Sequence, residues 1–263
     1  MAEFSSHIPG TFCWVELATT DQMAGAKFYN ALFGWDVNEQ AIGPNQIYTM
    51  FLMRGKEVAA AAAQQPQERQ GGVPPHWNLY VTVANANEAV KRAEGLGAKV
   101  LAPAFDVMDA GRMAVLQDPT GAVFSVWEPK KHIGVKILNE PGALCWSELT
   151  TRDTNAAEEF YTKFFGWTAK HSAPSAVDDY TEFSNQGQSG VGMMAMRPDM
   201  PAGTPSYWMP YFQVAQCDSS TTKAKELGAQ VMVPPTDIPK TGRFSIISDP
   251  QGAMLALFEF AGA

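Results

Sequence analysis

Histidine and cysteine, the side chains most often recruited as metal ligands and nucleophiles, are scarce in this chain: four and three among 263 residues. Cys13, Cys145 and Cys217 are odd in number, lie far apart and form no CxxC pair. That excludes a disulfide framework and a thiolate zinc site, and it fits a reducing compartment, so a cytoplasmic location is expected. Basic residues are outnumbered, with 19 Lys and Arg against 27 Asp and Glu and a formal net charge of −8. A balance of that sign argues against nucleic acid or an anionic membrane as the main partner. Long apolar runs are missing too: the longest, residues 58–63, is far too short to span a bilayer. Residues 1–10 are polar and mixed, unlike a secretory leader. The chain also lacks a glycine-rich phosphate loop, a nucleophile elbow and an HExxH motif.

What the chain does have is a repeat. Apolar residues make up 46% and charged residues 17%, the balance of a globular protein long enough to bury its own core. The stretch from Thr11 to Asp21, TFCWVELATTD, returns from Ala143 to Asp153 as ALCWSELTTRD. At the same offset Phe28-Tyr29 returns as Phe160-Tyr161 and Phe33-Gly34-Trp35 as Phe165-Gly166-Trp167. At an offset one residue shorter, Trp77 returns as Trp208, Gly97-Ala98 as Gly228-Ala229, Gly111-Arg112 as Gly242-Arg243, and Asp118-Pro119 as Asp249-Pro250. One residue was therefore lost between Trp167 and Trp208, and chance does not hold so many matches in step. Two domains follow, 1–131 and 132–263, joined near the basic stretch 130–141.

Each copy is itself double. Residues 12–18 are aromatic and β-forming and predict a strand. Asp21 is placed to cap a helix that carries Ala24, Phe28, Ala31 and Leu32 at helical spacing and stops at Gly34. Strands are predicted at 35–39, 46–53 and 57–63, before a Gln-, Gly- and Pro-rich loop at 64–75. The pattern restarts with a strand at 77–84, a helix at 86–96 closed by Gly97, and strands at 99–103, 112–117 and 122–127, the last two joined by the turn Asp118-Pro-Thr-Gly121. The order is βαβββ, twice per copy, with units near 11–63, 76–129, 142–196 and 205–260. The fold class is α+β.

The set Asp21…Phe28-Tyr29…Phe33-Gly34, then Gly97-Ala98, then Asp118-Pro-Thr-Gly121, with its echo in the second half, resembles the vicinal oxygen chelate superfamily. That group takes in glyoxalases, bleomycin-resistance proteins and extradiol dioxygenases. The repeated Cys-Trp-x-Glu-Leu opening and the Gly-Arg before the last hairpin are similar to a two-domain actinobacterial subgroup loosely called hydroxylases or glyoxalases. The resemblance implies two tandem glyoxalase/bleomycin-resistance-type domains, each a curved, barrel-like mixed sheet with helices on its convex side and a cavity on its concave side. It also implies a place for a divalent metal: a His, Gln or Glu seven residues before the helix-start Asp, and a Glu four residues after the turn glycine. Those places hold Trp14, Asn78, Trp146 and Met209, then Ser125 and Ala256. Indole and thioether are poor ligands for hard divalent ions, so no metal or other cofactor is expected.

With Trp14 facing the cavity, strand alternation adds Phe12 and Glu16 to the same face. It also selects Trp146 with Glu148, Asn78 with His76 and Tyr80, Met209 with Tyr207 and Tyr211, Ser125 with Trp127, and Ala256 with Phe258, and it turns Cys13 and Cys145 under the helices. The resulting lining is aromatic with a few polar handles, as in small-molecule pockets. Glu16 and Glu148 are the candidate catalytic residues, because a carboxylate among indoles is desolvated and its pKa raised. The bland alternative ties each to a nearby arginine. Arg112 and Arg243 are candidate anion anchors, with an interstrand salt bridge as the alternative. The expected partner is a small hydrophobic or aromatic molecule bound by a monomer or homodimer. The alternative is a superfamily enzyme (lyase, isomerase, hydroxylase or dioxygenase-type oxidoreductase) that uses Glu16 or Glu148 as a base or atypical metal ligand.

Overall fold

The computed structural model describes residues 3–44, 46–172 and 180–262. Aromatic and β-branched residues around Trp14 form β1 (Phe12–Thr19), and α1 (Gln22–Phe33) follows. The side chain of Asp21 accepts the Ala24 amide at 2.9 Å, and Gly34 ends the helix at φ +74°, a left-handed conformation that glycine adopts without strain. Then come β2 (Asp36–Gly43), β3 (Gln46–Met53) and β4 (Lys56–Ala63). A short helix, α2 (Pro66–Gln70), interrupts the loop before the second unit. That unit comprises β5 (His76–Thr82), α3 (Ala86–Gly95), β6 (Lys99–Val107), β7 (Gly111–Gln117) and β8 (Val123–Pro129).

The second half repeats the plan with β9 (Leu144–Thr151), α4 (Thr154–Phe165), β10 (Thr168–His171), β11 (Thr181–Asn185) and β12 (Gln188–Ala195). It closes with β13 (Tyr207–Gln213), α5 (Cys217–Glu226), β14 (Gln230–Ile238), β15 (Gly242–Ser248) and β16 (Met254–Phe260).

Each half is one eight-stranded mixed sheet, in the orders β2-β3-β4-β1-β5-β8-β7-β6 and β10-β11-β12-β9-β13-β16-β15-β14. The two opening strands of a half, β1 and β5 or β9 and β13, pair antiparallel at its centre. The sheets are curved but open, with β2 and β6, or β10 and β14, as edges, so the expected barrel does not close. The predicted strand 99–103 is also too short. Pro103 does not stop β6, because β6 is an edge strand whose register slips between Ala102 and Phe105. Pro234 and Pro235 sit at the matching slip in β14. An edge strand with a bulge has no ladder bond for proline to remove.

The halves share one core. Phe12 of the first half packs on Trp208 and Trp167 of the second, at ring-centroid distances of 4.9 and 6.1 Å. Phe212 lies 5.3–5.5 Å from Phe33, Trp35 and Trp77. Trp35, Trp167, Phe28 and Phe160 are buried in this core. Two reciprocal hydrogen bonds cross it: Tyr29 donates to Asp249 Oδ2 at 2.9 Å, and Tyr161 donates to Asp118 Oδ2 at 2.8 Å. The repeated turn aspartates therefore order their own turns and also receive a tyrosine from the opposite half. Each tyrosine hydroxyl in turn accepts an indole N–H, from Trp77 at 3.2 Å or Trp208 at 2.9 Å.

Removing one such hydroxyl strands two buried polar groups. Tyr161→Phe is expected to lower unfolding free energy by about 1–3 kcal/mol, and Tyr29→Phe by a similar amount, with a single cooperative urea transition retained. A loss near zero in both variants would show that the halves do not depend on these bonds.

Candidate functional site

The concave face of each sheet carries a second, smaller cluster, separate from the shared core. In the first half it contains Cys13, Trp14, Met50, Ala60, Tyr80, Trp127 and Val135. In the second it contains Cys145, Met209, Tyr211, Ala256 and Phe258, bordered by Trp146.

The register places the predicted residues side by side. Across the central pair Trp14 faces Tyr80 and Glu16 faces Asn78, while Tyr80 faces Ser125 on the neighbouring β8. In the second half Trp146 faces Tyr211, Glu148 faces Met209, and Tyr211 faces Ala256. Trp127 stands 6.4 Å from Tyr80, and Phe258 stands 6.3 Å from Tyr211.

Strict alternation fails at one point. Phe12 pairs with Val81 and Trp14 with Tyr80, so Cys13 is an extra residue with no partner across the ladder. Cys145 is the same extra residue between Leu144 and Trp146. Such a bulge reverses the facing of everything before it. Phe12, expected in the cavity, lies in the shared core. Cys13 and Cys145, expected under the helices, lie on the concave side.

The two glutamates are not tied to arginine. Trp146 Nε1 donates to the Tyr180 hydroxyl at 2.9 Å, Tyr180 donates to Glu148 Oε2 at 3.0 Å, and Tyr211 donates to Glu148 Oε1 at 2.6 Å. The first half repeats the arrangement: Trp14 Nε1 donates to Tyr48 at 3.1 Å, and Tyr80 donates to Glu16 Oε1 at 3.2 Å. Burial raises the pKa of both glutamates. Hydrogen bonds from Tyr48, Tyr80 and Asn78 oppose the shift at Glu16, and those from Tyr211 and Tyr180 oppose it at Glu148. Burial likewise pushes all four tyrosine hydroxyls up, and the adjacent carboxylate adds to it. Each cup thus holds a desolvated carboxyl between two neutral phenols. Alternation along the opening strands does not find Tyr48 and Tyr180, although they match at the same offset as Trp14 and Trp146. Gly192, paired with Glu148, makes room for this cluster, since a Cβ there would collide with the Tyr180 hydroxyl.

The arginines are not in the cups. Arg112 alternates with Met113, which packs on the concave cluster, and it reaches Asn87 on α3, the Ala104 carbonyl at 2.9 Å and Asp106 at 3.2 Å. Arg243 is held by Asp218 of α5 at 2.6 Å and by Asp237 at 2.7 Å. Both guanidiniums clamp a hairpin to a helix on the convex side, which corrects the reading of them as ligand anchors. The glycine of each Gly-Arg pair makes room for the cup wall. A Cβ on Gly111 would strike the Trp127 ring, and one on Gly242 would crowd Phe258. His76 bonds the Pro74 carbonyl at 2.9 Å, a local contact.

The donors at the superfamily's metal positions do not fit a divalent ion. They are two indoles, an amide, a thioether, a hydroxyl and a methyl group, and the nearest carboxylate in each cup is held by phenols. Among the described residues no group of three or more His, Cys, Asp and Glu comes together.

Comparison with known proteins agrees with this architecture. Residues 14–127 match a glyoxalase-like domain, and residues 132–257 match the glyoxalase/bleomycin resistance protein/dioxygenase superfamily. The chain is 40% identical to the "Putative glyoxylase CFP32" of Mycobacterium tuberculosis, over 98% of both chains. It is 33% identical to the anthracycline biosynthesis protein DnrV of Streptomyces peucetius, over 95% of this chain and 94% of that one. The Mn(II)-bound glyoxalase from Novosphingobium aromaticivorans superposes with a TM-score of 0.66 at 13% identity, over 95% of this chain and 82% of its own, a likeness of fold alone. The chain belongs to the glyoxalase/bleomycin resistance protein/dioxygenase superfamily.

The glutamate environment sets a sign for pH dependence. A carboxyl whose folded pKa lies above its ordinary 4.5 contributes stability that is fully present below that value and lost as pH rises through the folded one. Glu148→Gln removes this loss. The variant is therefore expected to gain stability relative to the parent as pH rises above 4.5, read from urea midpoints at each pH. Parallel profiles would contradict a raised pKa.

Proposed function

We propose that the protein binds a small, flat, aromatic molecule on the concave face of its sheets, without the superfamily's usual metal centre. The observation that carries this reading is the Trp–Tyr–Glu–Tyr cluster, built twice. Rings supply the apolar area, and one desolvated carboxyl supplies the polar point that orients a ligand hydroxyl or amine. Trp14, Asn78, Tyr80, Ser125 and Trp127 in one cup, and Trp146, Met209, Tyr211 and Phe258 in the other, are the proposed contact residues. The relatives named for anthracycline biosynthesis support an aromatic ligand.

A second reading is favoured by the raised proton affinity of the same carboxyl. Glu148 or Glu16 then acts as a general base toward a bound substrate, and the protein is an enzyme.

N-phenyl-1-naphthylamine, an uncharged aromatic with one N–H donor, separates these readings from a non-binding fold. Its fluorescence titration is expected to saturate, with affinity lowered about tenfold by Glu148→Gln, the worth of one hydrogen bond, and by more in Trp146→Ala. Affinity unchanged in both variants, and in Glu16→Gln, would remove the cups from function. Where a turned-over substrate is found, turnover lost in Glu148→Gln with affinity kept favours the base.

A further inference from the structure

The two cups have matching walls but unequal contents. After β8 the chain turns back, with the amides of Lys130 and His132 both donating to the Ala110 carbonyl at 3.0 Å. It then runs across the concave face of the first sheet. The His132 ring stands edge-on to Trp14 at 4.5 Å and to Trp127 at 6.0 Å. Trp127 Nε1 donates to the His132 carbonyl at 2.8 Å. The Val135 amide donates to the Cys13 carbonyl at 2.7 Å, and the Lys136 amide to the Glu57 carbonyl at 2.9 Å. The Val135 side chain is buried with Cys13, Trp14, Tyr80 and Trp127. Gly134, at φ +106°, passes so close that a Cβ would collide with the Cys13 carbonyl. The strap thus offers the first cup a flat heteroaromatic ring, a hydrogen-bond acceptor and an apolar branch, the chemistry such a cup selects.

Among the described residues no segment fills the second cup in this way: Phe4, His7 and Leu138 border a cavity of about 300 Å³ with Cys145 and Trp146 and leave it open. No ring among the described residues stacks on Trp146, which is partly exposed, whereas Trp14 is 4% exposed. The bulge carbonyl of Cys145 receives no amide from a strap among the described residues. Where Trp127 donates an indole N–H, the second cup has Phe258, which donates nothing.

We propose that residues 132–138 are the resident occupant of the first cup, that this cup is a latent site, and that the second cup alone accepts an external ligand in the native protein. This rests on the reading of the cups as aromatic-binding sites and narrows it. The ligand lays a planar ring against Trp146, directs a donor to Glu148, and carries no acceptor toward Phe258.

The bulge cysteines make the test, because they occupy matched positions and burial pushes both thiols up, so their relative labelling reports access. The intact native protein is treated with N-ethylmaleimide, and each site is followed by peptide mass spectrometry. Cys145 is expected to react faster than Cys13. Gly134→Ala, which expels the strap, is expected to raise the Cys13 rate about tenfold or more, and to raise it by a larger factor than the Cys145 rate. The milder double variant His132→Ala/Val135→Ser is expected to act in the same direction, should Gly134→Ala fail to fold. Equal rates at the two cysteines in the parent protein, or a Cys13 rate unmoved in the folded variants, would overturn the strap as occupant. A parallel titration with N-phenyl-1-naphthylamine is expected to give one site per chain, lost in Trp146→Ala and kept in Trp14→Ala, and two sites once the strap is displaced. Two sites in the parent, or loss through Trp14→Ala alone, would overturn the assignment to the second cup. Labelling as expected with probe binding insensitive to every cup variant would leave the strap standing and sink the aromatic-binding reading instead.

Discussion

The site depends on one extra residue in each opening strand. Cys13 and Cys145 break the alternation of β1 and β9, so the side chain before the bulge serves the core between the halves while the indole after it serves the cup. Without the bulge, Phe12 would stand beside Trp14 on the concave face, and the contact with Trp208 at 4.9 Å would be lost. A single-residue slip exchanges the two faces of a strand. The first half places that slip between two aromatics, so one short sequence contributes both to the shared core and to the cup.

Duplication explains why the halves cannot be treated as independent beads. Each turn aspartate is completed by a tyrosine from the other half, and each half inserts a phenylalanine among the other's tryptophans. The convex sides are thereby committed to one another, and the concave sides are left to diverge. They have done so: Trp127 against Phe258, Ala60 against Gly192 and Asn78 against Met209 are matched positions with different chemistry. The repeat preserves the carboxyl and its two phenols through all of these changes.

Much of this is legible in the sequence. The constant offset between copies, the Asp21 and Gly34 helix signals and the turn at Asp118 are local or periodic, and they locate the βαβββ units. Counting from those signals reaches Trp14, Glu16, Tyr80, Trp127 and their partners, because everything after the bulge keeps a period of two. Other features are not legible. The bulge itself leaves no mark in Cys-Trp-x-Glu-Leu, so alternation puts Phe12 and the two cysteines on the wrong faces. Arg112 and Arg243 sit one residue from cup-facing side chains, and only the partners on α3 and α5 reveal which way they point. Tyr48 on β3 and Tyr180 just before β11 reach the glutamates across the intervening β4 and β12, a tertiary contact that composition does not encode, although the offset between them is visible. The strap reads as a linker because its single glycine, lysine and histidine carry no periodicity.

The superfamily places a Lewis acid where this chain has indole, so the chemistry of the cups turns on whether a carboxyl held by phenols replaces the metal or helps to bind one. Crystals of the native protein soaked in Mn(II) and measured for anomalous scattering address this directly. The account predicts no manganese peak within coordinating distance of Glu16 or Glu148, with Tyr180 and Tyr211 still bonded to Glu148. A manganese ion ligated by either glutamate, with its tyrosines turned away, would contradict it.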